Sequence, residues 1–185
     1  MITVTLVSLL HSLAPRFPVY APSLLLPLLD AHQGDLWLPG IKGEDMTRLR
    51  QHAKGGSAQI LASLAAGWCD FAAGNEGKTP ELDALESYDD EMMDNLLMYW
   101  SNPAKINSPI TDNLFELRRE VVDEAHGSKL ASAWQQQQLA RFEQIMQGVQ
   151  AGRDQLCFVE VESAYWLRQR LSETENVALV TPTLG

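Results

Sequence analysis

Leu156-Cys157-Phe158-Val159-Glu160-Val161 is the stretch on which the fold class turns. Four apolar residues in a row, aromatic and β-branched among them, form a run too short for an ordinary helix and read as a buried strand. Ser163 to Leu171 then reads as a short helix, and Val177 to Val180 as another short strand. At the other end of the chain, Ile2-Thr3-Val4-Thr5-Leu6-Val7 has the same β-branched character, although Leu6 to Leu13 would equally open a helix. Together these pieces predict a small sheet assembled from the two chain ends.

Between them the periodicity is helical. Ser23 to His32 reads as a short helix with Pro27 in or near its first turn, where a missing N–H costs least. Gly34 to Gly43, with Pro39-Gly40, reads as a turn-rich connection. Glu44 and Asp45 open a helix with Met46, Leu49 and Ala53 on one face, closed by Gly55-Gly56. Ser57 caps the next, whose stripe is Ile60, Leu61, Leu64, Trp68 and Phe71, and Thr79-Pro80-Glu81 starts another after a loop. Pro109 to about His126 places Ile110, Leu114, Leu117 and Val121 on its apolar side. A longer helix to about Gly148 does the same with Trp134, Leu139, Phe142, Met146 and Val149.

Weighed by length, these helices set the expectation: mainly α, a compact multi-helix domain with a small β element from the chain termini. The 185 residues fit a single domain, 1–185. Within it lie a Leu/Pro-rich entry segment (1–43), a helical body (44–149) and a strand–helix–strand tail (150–185). Trp37, Trp68, Trp100, Trp134 and Trp166 are almost evenly spaced, but their flanks share nothing else, so no repeat is assigned.

Charge is the compositional feature with content. The chain carries a net −10, and residues 70–100 hold nine acids against Lys78 alone. Such a field repels nucleic acid and anionic lipid and attracts a basic partner. Ser87 to Trp100 is the helix that displays it. A 100° step puts Tyr88, Met92, Leu96 and Tyr99 on one side, and Asp90, Glu91 and Asp94 on the other. No apolar run is long enough for a membrane span. No Lys or Arg precedes the first apolar run, so a secretory signal is not expected. Cys69 and Cys157 lie far apart and form no CxxC pair, which fits reduced thiols in a cytoplasmic protein.

The candidate chemical motifs fail on their own requirements. Asp123-Glu124-Ala125-His126 resembles the DEAH signature of a helicase family, but the GxxxxGK[ST] phosphate loop that such enzymes need is absent. Asp123 and His126 also give one carboxylate-x-x-His pair of a di-iron site, without the second pair. The histidines and cysteines lack zinc-ligand spacing, and no glycine between Lys78 and Gly127 can serve an EF-hand loop. Ser57 sits in no nucleophile elbow. No catalytic residue, metal or cofactor is assigned.

The functional expectation is a non-catalytic module whose acidic helical face engages a basic protein: an inhibitor, an immunity protein or a small assembly chaperone. Its candidate partner-binding residues are Glu86, Tyr88, Asp89, Asp90, Glu91, Asp94 and Trp100. Direct nucleic-acid and membrane binding are not expected, and the sequence leaves the oligomeric state open. Two alternatives stand beside it. One is an enzyme with a carboxylate/His pocket, His126 or His52 acting as base. The other is a structural subunit that docks through residues 1–40.

Overall fold

A parallel sheet, not a helical bundle, organises the chain. The computed structural model describes residues 1–9, 22–39, 46–49, 88, 91–92, 94–95 and 103–184. Its strands are β1 (Ile2–Leu9), β2 (Asp35–Pro39), β3 (Met46–Leu49), β4 (Gln155–Glu160) and β5 (Val177–Val180), in the order β3-β2-β4-β1-β5. β1, β2, β4 and β5 are parallel, and β3 joins antiparallel at one edge. The helices are α1 (Pro22–Ala31), α2 (Pro109–His126), α3 (Ser128–Gln150) and α4 (Val161–Ser172), with a turn of 3-10 helix at Pro103–Ile106.

The mainly-α expectation is therefore wrong: this is an α/β fold with helices on both sheet faces. Alternate residues of β1, β2 and β4 enter two separate cores. Val7, Leu36, Leu38, Leu156 and Phe158 meet Leu25 and Leu29 of α1, with Met92, Ile106, Phe115 and Leu184. Val4, Leu6, Trp37, Cys157 and Val159 meet Ile145 and Val149 of α3 and Ala164, Leu167 and Leu171 of α4. A strand covered on both sides needs apolar residues at every position, which is why β4 reads as an unbroken apolar run. Removing each such side chain from water contributes about 1.5–3 kcal/mol.

Two crossovers interleave. β1–α1–β2 passes over the position of β4, and β4–α4–β5 passes over β1 to the far edge. Leu25 and Leu29 of α1 and Ala164, Leu167 and Leu171 of α4 enter different cores, so the two connections cover opposite faces. β1 and β4 lie side by side at the centre while their onward connections leave in opposite directions. In sheets of this kind, that switch point at the carboxyl ends of the strands is where a crevice opens.

Local expectations were overturned where pairing across the sheet overrode near-neighbour signals. Trp37 lies in β2, inside the stretch read as a turn-rich connection, and is buried. Met46–Leu49 is a strand paired with Leu36–Pro39, not the first turn of a helix, because partners there outweigh a four-residue helical spacing. Pro27 lies beyond the first turn of α1. The faces of the long helices are also rotated. In α2 Phe115 is 1% exposed, whereas Ile110 is 64% and Leu117 44% exposed. In α3 Ile145 and Val149 are buried beside Gln138 and Arg141, while Leu139 is 42% exposed. The expected helix 57–73, with Trp68 and Cys69, lies outside the described residues.

Candidate functional site

The acidic surface expected from sequence is only partly described. Tyr88, Glu91, Met92, Asp94 and Asn95 are helical. Met92 is buried in the first core and Tyr88 packs against it half-buried, while Glu91 and Asp94 are exposed. Two apolar residues four apart thus anchor this helix, and the acids three apart stand in solvent on another side. Glu86, Asp89, Asp90 and Trp100 lie outside the described residues, as do His52 and Ser57.

Sequence reasoning missed a polar cluster at the carboxyl end of the sheet. β5 pairs with Ile2–Thr5 of β1, and among the described residues no strand flanks the last residues of β1 on that side. The Ser8 amide instead donates to Asn107 Oδ1 at 2.8 Å. Asn107 is placed by the 3-10 turn and by Ser108, the N-cap of α2, whose hydroxyl accepts from the Thr111 amide. Thr111 Oγ1 in turn donates to the Lys105 carbonyl at 2.7 Å, closing the cap. From α4, Arg168 donates to Ser8 Oγ at 3.1 Å and grips both carboxylate oxygens of Asp112 on α2. Serine, asparagine, aspartate and arginine from β1, α2, its cap and α4 meet here.

A second buried pair lies at the start of α4. Arg141 of α3 is 2% exposed and donates to Ser163 Oγ at 3.3 Å and to Gln138 Oε1 at 3.5 Å. Around the corner, α2, α3 and α4 are joined by a ladder. Arg119 pairs with Asp123 and lies 4.7 Å from the Trp134 ring centroid, and Trp134 stacks on Tyr165 at 6.2 Å. Burial pushes the Tyr165 phenol up to about 12; Arg119 opposes that rise, and Glu116, Asp123 and Glu120 add to it.

This chemistry binds helices to the sheet. Asp112 is committed to Arg168. Asp123, the acid of both motifs noted above, is committed to Arg119. Cys157 is buried, and its thiol is held protonated by that burial and, secondarily, by the Asp35 carboxylate. Among the described residues no three His, Cys, Asp or Glu side chains converge as a metal site. No helix among them is long and apolar enough to cross a membrane.

No family model, curated protein or solved structure matches the chain.

Proposed function

We propose that the protein is a non-catalytic binding module that uses an acidic helical surface, mounted on an α/β scaffold, to engage a basic protein. The observation that carries this reading is the division of one helix. Tyr88 and Met92 fix it to the core, and Glu91 and Asp94 are left facing solvent in the most acidic part of the chain. Acids displayed from a core-anchored helix offer a docking field that needs no rearrangement on binding. An inhibitor, an immunity protein or a small assembly chaperone would use such a surface. A net −10 also argues against direct contact with nucleic acid or anionic lipid. The free, buried Cys157 fits a reducing, cytoplasmic setting.

The test is capture of partners from the source cell at about 50 and 300 mM salt, which brackets electrostatic screening. The parent chain should retain a basic protein at low salt and release it at high salt. Asp90→Lys, Glu91→Lys and Asp94→Lys together should abolish capture without unfolding the chain. Capture that ignores both salt and the triple reversal would refute the reading.

A further inference from the structure

We propose that the outer face of α2 is a docking strip for a basic amphipathic helix of a partner protein. This inference rests on the acidic-surface reading above and adds a second contact region and the form of the partner. Two rows run along the exposed side of α2. Ile110 and Leu117, two helical turns apart, are open to solvent, while Leu114 and Val121 beside them are half-buried and Leu114 packs against the first core. Glu116, Glu120 and Glu124, each four residues from the next, form an exposed acidic ridge beside that apolar row. The opposite side of the helix sends Phe115 into the core, and Asp112 and Asp123 are held by Arg168 and Arg119. The strip therefore lies on a helix clamped from behind.

Large apolar side chains left outside a well-packed fold mark contact surfaces when they are grouped and rimmed by charge. The rim decides the occupant. A second copy would bring a like-charged ridge and another chain of net −10, and an anionic lipid surface would be repelled in the same way. A helix with leucine-like residues on one face and Lys or Arg along its border satisfies both rows at once. This is a helix laid along a helix, anchored at Ile110 and Leu117, with ionic contacts setting direction.

The experiment uses the full chain and two labelled peptides of about 18 residues, five helical turns. One is a Leu/Lys peptide whose leucines share one helical face, and the other is a scramble of the same composition. Fluorescence anisotropy at low salt should show the amphipathic peptide binding at least ~10-fold more tightly than the scramble. Ile110→Ser with Leu117→Ser should erase that preference and leave scramble binding unchanged. Glu116→Gln, Glu120→Gln and Glu124→Gln together should weaken the amphipathic peptide at least ~5-fold. Because these side chains are exposed, circular dichroism should report the parent fold in both variants.

Equal binding of the two peptides, or a preference that survives the double Ser variant, overturns the strip. In that case, loss of scramble binding in Glu91→Lys with Asp94→Lys keeps the acidic-surface reading standing alone. If neither peptide binds the parent chain, both readings fall. A dimer in sedimentation velocity that dissociates on Leu117→Asp would make a second copy the occupant and overturn the proposal.

Discussion

The two ends of the sheet are polar in different ways. At the amino end, Asp35 accepts from Arg153 Nε at 3.0 and 3.1 Å and from Gln155 Nε2 at 3.0 Å. Gln155 Oε1 accepts from Trp37 Nε1 at 2.8 Å, the Asp35 amide donates to the Asp154 carbonyl at 2.8 Å, and the Thr3 amide donates to Asp154 Oδ1 at 2.9 Å. His32 Nε2 donates to the Asp35 carbonyl. Nearly all of these groups come from two short stretches, 32–37 and 153–155. They stitch β2 to β4 and fix their register, because a one-residue slip would separate every pair. At the carboxyl end the partners are Ser8, Asn107, Asp112 and Arg168, far apart in sequence and on different elements. That end is held by helices leaning on the sheet, and it is the end at which folds of this kind bind things. A base stitched strand to strand and a top clamped by helices are the difference that substitutions can probe.

The largest effect belongs to the base. A methyl on Gly34 would overlap the Asp154 carbonyl oxygen, and one on Gly148 would overlap the ends of Gln155 and Asp35. The clash at Gly34 is with backbone, which cannot swing aside, so Gly34→Ala should cost about 3 kcal/mol. Denaturant unfolding measures this. A loss no greater than that of an average surface substitution would show that the base is not locked.

At the top, Arg168→Ala takes the guanidinium away from the largely covered Asp112 carboxylate and from Ser8. A loss of about 2 kcal/mol is expected. Asp112→Leu added to Arg168→Met should recover most of it, because no stranded charge remains. If the double variant is no better than Arg168→Ala, the cluster contributes more than mutual neutralisation.

What the sequence disclosed follows the same division. β4, α4 and β5 were legible because an unbroken apolar run, a short amphipathic stretch and a second apolar run stand in series with turn residues between them. α2 and α3 were legible from Pro109, Gly127 and their periodicity. The sheet as the organising layer was not. β2 and β3 are short, and what holds Trp37 and Met46–Leu49 extended is pairing with distant partners, which leaves no trace in local spacing. The faces of α2 and α3 were misread for a related reason. Periodicity reports an apolar stripe, but Phe115 turned inward while Ile110 and Leu117 stayed out, and Arg141 was buried through contacts with Gln138 and Ser163. Of the candidate site, the sidedness of Tyr88 and Met92 against Glu91 and Asp94 could be written from a 100° step. The Ser8–Arg168–Asp112 cluster could not, its one signal being a lone serine in an apolar strand.

Smaller still is a pH effect confined to the helical layer. Tyr165 holds its proton up to about 12 in the folded chain, above the ordinary tyrosine value. The unfolded chain releases that proton first as pH rises. The stabilisation is therefore whole below about pH 10 and is lost between there and about pH 12. Melting temperature should fall across that window, and Tyr165→Phe should flatten that part of the curve. An identical slope in the Phe variant would assign the loss to other groups.

The least effect on stability belongs to the acids of the proposed surface. Glu91 and Asp94 are exposed, and the contacts that hold their helix are made by Tyr88 and Met92. Glu91→Lys with Asp94→Lys should leave stability within about 0.5 kcal/mol of the parent chain. A small gain is expected at low salt, where fewer like charges repel across residues 70–100, and it should vanish at high salt. Met92→Ala, one position away on the same helix, should cost about 2–5 kcal/mol by opening the first core. A helix whose charged face can be reversed at almost no cost, while its apolar face cannot be trimmed, keeps its acids for something other than folding. Equal losses from the two substitutions would instead make those acids part of the scaffold.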